Sequence, residues 1–475
     1  MQQPNILLLT IDTLRADMLG CYGYSPPLPS TSGQARTSGQ ANPITPNLDG
    51  LAARSVRFEQ AITGGSWTQA AFPVMLTSSH ASLYGGCLGP LSAARPSPIE
   101  TLAAHGYETV GFSSSPLLSG EYKYDRGFSN FNELIPEETD PSLRHIKGGE
   151  HLLRLPWVHY LTQLFGKRMR PARLYVSAEE MTARACAWLE KNDHRCTHRP
   201  FFGWLHYMDV HWPYHREEKL VSPSQIAQAW NDIAHLYRVN WKNDSISAEQ
   251  KAHYLKLYEQ AIEYTDAQIG RLLARLDDLG IADNTIIIIV SDHGEEFLER
   301  GQWGHFEVNL HDEILRVPLI IHLPGSQEGK TIRRQVRTLD LMPTILELGG
   351  APQAKGMEGK SLLPLWAVGE DAYPPQISIS EMWRDHWHII AIRTEKFKYI
   401  WNSRQPDQPE LFNLYLDPVE KKNVLPQYPE DARKFQSIVN QHLERGVQTA
   451  PQKPAAIPDM DEKMIRRLRD LGYVE

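Results

Sequence analysis

Runs of consecutive apolar residues, each about as long as a β-strand, recur along the chain and are separated by longer amphipathic stretches. The first run, Asn5–Ile11 (NILLLTI), has the pattern of a strand that is buried on both faces. Similar runs follow at 109–112, 201–205, 285–290 and 318–322. Strands that alternate with long helices are typical of an α/β domain with a mostly parallel sheet, in which ligands gather beyond the carboxyl ends of the strands.

The amphipathic stretches predict helices, and the pattern changes in the last quarter of the chain. One helix is predicted over 177–191, where Ser177 and Glu180 form a capping box, and another over 251–279. After about residue 350 the chain carries short strand-like pieces at 388–393 and 397–401, and then a helical stretch at 429–445. We therefore predict a large α/β domain over 1–370 and a smaller C-terminal α+β domain over 371–475, with a short antiparallel sheet and a helix.

Two segments fit neither pattern. Residues 25–43 contain TSGQA twice among Pro, Ser and Gly, which predicts a flexible surface insert. The stretch 152–170 (LLRLPWVHYLTQLFGKRMR) mixes apolar, aromatic and basic residues. A helix packed on the core with a basic solvent face is favoured there over a lid or a membrane-surface element.

Composition narrows the classes of protein to consider. Apolar residues make up 41% of the chain, charged residues 22%, and the net charge is −8, so no overall basic field is available to bind nucleic acid. The four cysteines form no CxxC pair, which favours reduced thiols. No apolar run reaches the ~18 residues of a spanning helix, and the N-terminus lacks a basic region and a cleavage site. We expect a cytoplasmic protein without stable membrane insertion, unless a leader was removed before the numbering begins.

Polar side chains follow three of the predicted strands where each strand ends. They are Asp12, then His206, Asp209 and His211, and finally Asp292 and His293. A lone Asp in such a place is most often a cap or a turn residue. Because the carboxyl ends of parallel strands meet at one edge, three such groups together also allow a metal site built from Asp and His.

A fourth candidate lies in the stretch Ser66 to Thr77, SWTQAAFPVMLT, which reads as the start of a helix. A Thr at such a place is usually a cap whose hydroxyl accepts a backbone N–H. The stretch alone leaves open whether the Thr68 hydroxyl caps the helix or takes part in chemistry. His80, just past this helix, is expected at the surface.

The order of several motifs resembles the sulfatase family within the alkaline phosphatase superfamily. The motifs are NILLLTIDTLRADMLGCYGY, TPNLDGLAARSVRFEQA, HGYETVGFSSSPLLSG, PFFGWLHYMDVHWPY, DNTIIIIVSDHGEEF, GHFEVNLHDEILRVPLIIHLPG, RTLDLMPTILELGG, ELFNLYLDPVEKKNV and LRDLGYVE. The resemblance covers nearly the whole chain. It implies an alkaline-phosphatase-like sandwich, with a large, mostly parallel central sheet flanked by helices and a smaller C-terminal α+β domain.

The resemblance also implies roles for individual residues. Asp12, Asp292 and His293 fall on the family's metal ligands. His211 falls on the histidine that contacts the bridging or leaving oxygen of the ester, and His305 lies where the family has a Lys or His near the substrate anion. For His206 and Asp209 we favour hydrogen bonds that fix the loop around His211 over a second metal site.

The nucleophile position follows from aligning the helix that ends at Thr77. In sulfatases a Cys or Ser in a C/S-x-P-x-R segment becomes formylglycine. Counting back places Thr68 at that position, Ala70 at the Pro and Phe72 at the Arg. Thr68 is thus expected both to cap the helix and to face the metal.

The departures from the family pattern shift the expected chemistry. Thr cannot become formylglycine by the known modification, so none is expected here. Calcium-type sulfatase sites are all oxygen, whereas the pair here is Asp292-His293, and an imidazole favours Mn²⁺ or Zn²⁺ over Ca²⁺. Members with a Thr nucleophile and Asp-His ligands act on phosphodiesters or transfer phospho-groups. A hydroxyl bound to such an ion would lose its proton more readily.

The leading hypothesis is a metal-dependent hydrolase of phosphodiester or phosphonate ester bonds, with Thr68, His211 and His305 as catalytic residues. One divalent ion would bind to Asp12, Thr68, Asp292 and His293. The partner would be a small anionic ester, and a homo-oligomer is compatible with the sequence. The alternatives are a sulfuric ester hydrolase, a phospho-group transferase and a non-catalytic binding protein.

Overall fold

A computed structural model gives the fold of the chain. It describes residues 3–26, 43–134, 175–191, 199–212, 214, 223–242, 244–305, 309–384 and 387–451. Most of the predicted insert, the stretch 152–170 and the terminal LRDLGYVE motif lie outside the described residues, so the predictions made for them stay predictions.

Fifteen strands occur in the described part of the chain. In chain order they are β1 (Asn5–Ile11), β2 (Val56–Ile62), β3 (Glu108–Ser113), β4 (Asn130–Glu133), β5 (Phe201–Tyr207), β6 (Thr285–Ser291), β7 (Glu296–Phe297), β8 (Trp303–Gly304), β9 (Arg316–His322), β10 (Lys330–Ile332), β11 (Val336–Arg337), β12 (Ser378–Arg384), β13 (Trp387–Arg393), β14 (Phe397–Asn402) and β15 (Glu410–Asn413).

Nine of these strands form the central sheet, in the order β10-β2-β9-β6-β1-β5-β3-β4, with β11 also paired to β2. The five runs predicted as buried strands are all present, as β1, β3, β5, β6 and β9. The sheet is mostly parallel, as predicted, but β9 runs antiparallel to both of its neighbours, β2 and β6. Strand β1 is buried along its whole length and lies between β5 and β6.

Ten α-helices occur beside the strands in the described part of the chain, and several of them pack on the two faces of this sheet. In chain order they are α1 (Pro46–Ala52), α2 (Thr68–Thr77), α3 (Pro98–Ala104), α4 (Ala178–Lys191), α5 (Pro223–Lys242), α6 (Ala248–Asp278), α7 (Asp312–Leu315), α8 (Leu341–Leu348), α9 (Leu363–Ala367) and α10 (Pro429–Thr449). The predicted cap of α4 is present, because the Ser177 hydroxyl accepts the Glu180 N–H at 3.2 Å.

Alternating side chains of β1 divide between two apolar cores. Leu7, Leu9 and Ile11 join the core that also contains residues of α4 and α6. Ile6 and Leu8 point to the opposite face, where α2, α3 and α8 pack. Because consecutive residues of a strand point to opposite faces, the buried sequence of β1 serves both layers of an α/β/α sandwich.

The second sheet is antiparallel, in the order β12-β13-β14-β15. One of its faces packs against α10 through an apolar cluster that includes Ile390, Tyr399 and Val439. The other face packs toward the central sheet through a cluster that includes Ile62 and Met382. The prediction of a short antiparallel sheet with a helix in this region is therefore confirmed. None of the described helices combines the length and apolar content that a membrane span requires.

The packing of α10 gives a matched test of stability. Val439 is fully buried, whereas Val447 on the same helix is 79% exposed. We expect Val439→Ala to lower the free energy of unfolding by about 1–3 kcal/mol, because it removes two buried methyl groups and leaves a cavity. Val447→Ala should change it by less than about 0.5 kcal/mol. Urea unfolding of the whole chain measures both; equal effects would show that α10 is not packed as described.

Candidate active site

The turn after β1 fixes the direction of Asp12. The Asp12 N–H donates to the Tyr207 carbonyl at 2.9 Å, which extends the pairing of β1 with β5. Thr13 then adopts a left-handed conformation, with φ +56°, a strained one for a β-branched residue. The Thr13 hydroxyl donates to the Val210 carbonyl at 2.9 Å, and the Thr13 carbonyl accepts the Tyr258 hydroxyl at 2.7 Å. These bonds hold the strained turn and keep Asp12 beyond the strand end.

The neighbouring strand β6 supplies two more groups at the same level. Asp292 follows β6 directly, and its Oδ1 accepts the N–H groups of Thr13 at 3.2 Å and His293 at 2.9 Å. The Nδ1 of His293 donates to the Gly294 carbonyl at 2.9 Å, which leaves Nε2 as the free ring nitrogen. A side chain at Gly294 would place its Cβ 2.2 Å from the Glu313 carbonyl oxygen, so only glycine fits this turn.

Asp12, Asp292 and His293 come together as a fully buried cluster. Their ligand atoms lie within 4.8 Å of one another, and among the described residues no other group of three Asp, Glu, His or Cys side chains does so. Nε2 of His293 is 3.4 Å from Asp292 Oδ2 and 3.8 Å from Asp12 Oδ1. None of these three atoms has a hydrogen-bond partner. Two carboxylates and an imidazole that meet without partners fit a divalent cation.

The electrostatics of the cluster agree with that fit. Burial raises the pKa of Asp292 well above its ordinary value, and the nearby Asp12 carboxylate adds to this effect. Burial lowers the pKa of His293 to about 3, so its imidazole is neutral. Burial opposes ionisation of Asp12 as well, but His211, His206 and His293 hold its pKa below the ordinary range. A cation between the carboxylates would remove their mutual repulsion, and a neutral imidazole is the form that binds metals.

His211 and His305 lie against this cluster. The ring centroid of His305 is 4.5 Å from that of His293 and 5.0 Å from that of His211. The Nδ1 of His211 is 2.5 Å from the Trp212 carbonyl, and the Nδ1 of His305 is 3.0 Å from Glu295 Oε1. Burial lowers the pKa of His211, and it lowers that of His305 to about 4. The structure thus brings both histidines to the predicted metal ligands.

Glu295 belongs to the site, although the sequence analysis did not select it. It is fully buried two residues after His293, and burial raises the pKa of its carboxyl to about 7. Arg15, three residues after Asp12, donates to the Glu295 carbonyl at 2.9 Å and supports the same turn. In the sequence, the position of Arg15 shortly after Asp12 and of Glu295 shortly after His293 was the signal that could have assigned both residues to the site.

His206 does not occupy the expected place. Its Nε2 lies 3.2 Å from Asp12 Oδ2, and its Nδ1 lies 3.0 Å from the Thr10 hydroxyl. It therefore contacts the metal-ligand cluster directly rather than fixing the loop around His211. Asp209, the other residue of that prediction, is buried, and among the described residues neither it nor His206 joins a second group with metal-ligand spacing.

Thr68 is fully buried in the first turn of α2. The prediction that it caps the helix is wrong, because Trp67 holds the cap position at this helix end. The segment leading to Thr68 starts beside the cluster, since the Thr63 hydroxyl donates to the Asp292 carbonyl at 2.5 Å. One turn further along α2, the Phe72 ring lies 4.9 Å from the His206 ring.

The expected exposure of His80 is also wrong. Its side chain is buried, and its ring lies 5.1 Å from that of His442 on α10. The sequence places His80 just past a helix, and the contact with the remote C-terminal helix is not encoded in the local pattern.

Comparison with protein families identifies the scaffold that carries this site. The sulfatase family matches residues 4–351, and the C-terminal region of N-sulphoglucosamine sulphohydrolase matches residues 301–449. The first match covers the central sheet and the whole cluster of Asp12, Asp292 and His293.

Two individual relatives match the chain at low sequence identity or over a short range. A choline-sulfatase of Rhizobium meliloti (strain 1021) is 25% identical over 451 residues, which cover 89% of this chain and 82% of the relative. Arylsulfatase K of Canis lupus familiaris is 32% identical over 190 residues, and that match spans only 35% of its length and 37% of this chain.

Solved structures give the same architecture. A phosphonate monoester hydrolase of Agrobacterium radiobacter superposes with a TM-score of 0.65 at 20% identity, covering 97% of this chain and 99% of its own. A phosphonate monoester hydrolase of Silicibacter pomeroyi gives 0.66 at 21% identity, covering 94% and 96%. The family match over 4–351, on a sheet whose strand ends carry the Asp and His groups expected of the family, establishes that this chain belongs to the sulfatase family.

Proposed function

We propose that the protein is a metal-dependent hydrolase of phosphodiester or phosphonate ester bonds, with Thr68 as the nucleophile. The observation that carries the proposal is the buried cluster of Asp12, Asp292 and His293, whose unpartnered ligand atoms meet beside the segment that leads to Thr68. Such a cluster is costly for a protein to keep unless a cation binds there.

The ligand set bears on the kind of metal. Asp12, Asp292 and His293 would hold one divalent ion, with the Thr68 hydroxyl as a further ligand. The neutral imidazole of His293 favours Mn²⁺ or Zn²⁺ over Ca²⁺, which prefers all-oxygen sites. When bound, such an ion lowers the pKa of a coordinated hydroxyl and offsets negative charge on an ester oxygen.

The side chains divide the remaining tasks. The Thr68 hydroxyl would lose its proton to solvent, and its oxygen would attack phosphorus and form a new P–O bond while the bond to the leaving oxygen breaks. Water would then hydrolyse the phosphorylated Thr68, which restores the hydroxyl. His211 would give a proton to the leaving oxygen. Because burial lowers the pKa of His211, this histidine needs the negative charge of the bound ester to keep that proton. The Glu295 carboxyl group bonds to Nδ1 of His305 and so fixes the His305 ring. This ring would face an anionic oxygen of the substrate.

Two observations bear on the choice between phosphate and sulfate esters. A threonine at position 68 has no route to formylglycine, and phosphonate monoester hydrolases are among the proteins that share this fold. The match to a choline-sulfatase over 89% of the chain supports the second candidate, a sulfuric ester hydrolase that uses Thr68.

The first prediction compares substrates and tests the nucleophile. We expect a bis-aryl phosphodiester or an aryl phosphonate to be hydrolysed faster than an aryl sulfate, and Thr68→Ala to lose nearly all turnover, because the attacking oxygen is gone. Thr265→Ala is the matched control and should keep full turnover, because Thr265 is a buried threonine on α6 whose hydroxyl donates to the Ala261 carbonyl. Both expectations are checked by measuring kcat/KM for the phosphodiester, the phosphonate and the sulfate at a fixed concentration of Mn²⁺ or Zn²⁺.

Each alternative predicts a different outcome of that experiment. Faster sulfate turnover would establish the sulfatase and overturn the phosphodiesterase. Recovery of phosphorylated glycerol when glycerol is added would show a phospho-group transferase. Absence of turnover with every ester and metal, unchanged by Thr68→Ala, would show a binding protein.

The second prediction concerns His211. If His211 protonates the leaving oxygen, His211→Ala should slow esters with poor leaving groups by roughly 10²–10⁴-fold. The loss should shrink sharply with a nitrophenolate leaving group, which needs little protonation. The rate ratio between the two esters, in the variant and the parent, is the measurement. An unchanged ratio would assign His211 to substrate positioning alone.

A further inference from the structure

A second group of buried ionisable side chains lies outside the metal-ligand cluster and centres on Glu381 of β12. The main chain of Glu381 pairs with the loop before Thr68. The Glu381 N–H donates to the Gly64 carbonyl at 3.0 Å, and Gly65 forms a parallel β-bridge with Glu381. The hydroxyl of the preceding residue, Ser380, donates to the Thr63 carbonyl at 2.5 Å. The C-terminal sheet therefore contacts the loop that leads to Thr68.

The Glu381 side chain reaches the other end of α2. Its carboxylate is fully buried, and Oε1 accepts the Ser82 N–H at 3.1 Å. Oε1 also lies 3.1 Å from Nε2 of His442, and Oε2 lies 3.0 Å from Nε2 of His388. Nε2 of His442 is itself 3.0 Å from the Ser82 hydroxyl. One residue thus contacts the chain on both sides of the helix that begins with Thr68.

The loop before Thr68 cannot move without the helix. A Cβ on Gly64 would lie 2.4 Å from Val74 Cγ1, and a Cβ on Gly65 would lie 2.4 Å from the Cβ of Ala70. The main chain of this loop therefore packs directly on α2, and a displacement at Glu381 would be transmitted to the first turn of the helix.

The charges around Glu381 favour an ionised carboxylate. Burial alone would raise the pKa of Glu381, but His442 and His388 hold it well below its ordinary value. In turn, Glu381 raises the pKa of His442 above its ordinary value despite burial. His80 stays neutral, because burial and His442 lower its pKa. The other charged or thiol groups that act on Glu381, His80 or His442 are Cys87, Arg95, Arg337 and Arg445, and Arg445 pairs with Glu358.

We infer that Glu381 is a positioning residue for Thr68: with His442 of α10 and His388 of β13, it fixes the segment 64–82 and so sets the place of the nucleophile. This inference rests on the proposed role of Thr68. It assigns a catalytic task to the C-terminal sheet and helix, which contribute no side chain to the metal-ligand cluster among the described residues.

The test compares Glu381→Gln with Glu395→Gln, a matched change in the same C-terminal region. Within the described part of the chain, Glu395 pairs with Arg334 and the Gln335 N–H. We expect Glu381→Gln to lower kcat by about 10²-fold, since a displacement of about 1 Å has an effect of that size. KM should change less than about threefold, metal affinity should weaken no more than in Thr68→Ala, and amide hydrogen exchange should rise across 64–82. Glu395→Gln should change none of these quantities.

A second variant, His442→Gln, keeps a neutral N–H donor for the Glu381 carboxylate. It allows the pH dependence of the Tm to be measured as a second readout. The raised pKa of His442 means that its charge stabilises the fold fully below about pH 6.5 and that this stabilisation is lost as pH rises through the folded value. The Tm of the parent should therefore exceed that of His442→Gln most at or below pH 6.5 and converge with it at higher pH. If Glu381→Gln does not fold, this variant carries the test, with kcat and exchange measured at pH 6.

The outcomes separate this inference from the proposed function. Unchanged exchange across 64–82 in both variants would overturn the inference, as would increased exchange with unchanged kcat. A loss of metal affinity larger than that of Thr68→Ala would also overturn it, because Glu381 would then act on the other metal ligands. Full activity of Thr68→Ala, by contrast, would overturn the proposed function while leaving the exchange result to report on Glu381.

Discussion

The close approach of two buried carboxylates is the constraint on which the rest of the site depends. Asp12 and Asp292 follow adjacent parallel strands at the same level, because Ile11 pairs with Ser291, so the sheet register alone brings them together. Like charges in a buried site repel each other, and a cation is the simplest means of relieving this. The neutral His293 between them completes a set of ligands rather than a set of ion pairs.

The surroundings of the cluster serve to hold those groups in place. The strained Thr13 turn is fixed by bonds from Tyr258 and to Val210. His211, His293 and His305 are each held through Nδ1 by a backbone carbonyl or a carboxylate. The second sheet supports the loop before Thr68, because the Glu381 N–H of that sheet donates to the Gly64 carbonyl. The strained residue Thr13 and the unpartnered ligand atoms of Asp12, Asp292 and His293 lie together at this edge, where function gives a reason to retain them.

The sequence indicated the central strands and the ligand set, because a buried strand shows as an unbroken apolar run and its end shows as an abrupt Asp or His. The run 318–322 was correctly predicted as a strand, but its antiparallel direction depends on pairing partners that no local pattern encodes. The ring contact of buried His80 and one of the contacts of Glu381 involve His442 of α10, which is remote from His80 in the chain. The cap of α2 was misjudged because the helix begins at Thr68 itself, so that Trp67 and not Thr68 holds the cap position.

The most direct test of the metal-ligand cluster is the stability of the chain with and without added cation, in the parent, in Asp292→Asn and in Asp266→Asn. Asp266 is an equally buried aspartate that binds the N-terminus of α1 instead. At a metal concentration 100 times Kd, Mn²⁺ or Zn²⁺ should raise the free energy of unfolding of the parent and of Asp266→Asn by about 2.7 kcal/mol. Asp292→Asn should show little gain at that concentration, yet be at least as stable as the parent without metal, since one of two repelling carboxylates is gone. Equal stabilisation of Asp292→Asn, or stabilisation by Ca²⁺ alone, would contradict the account.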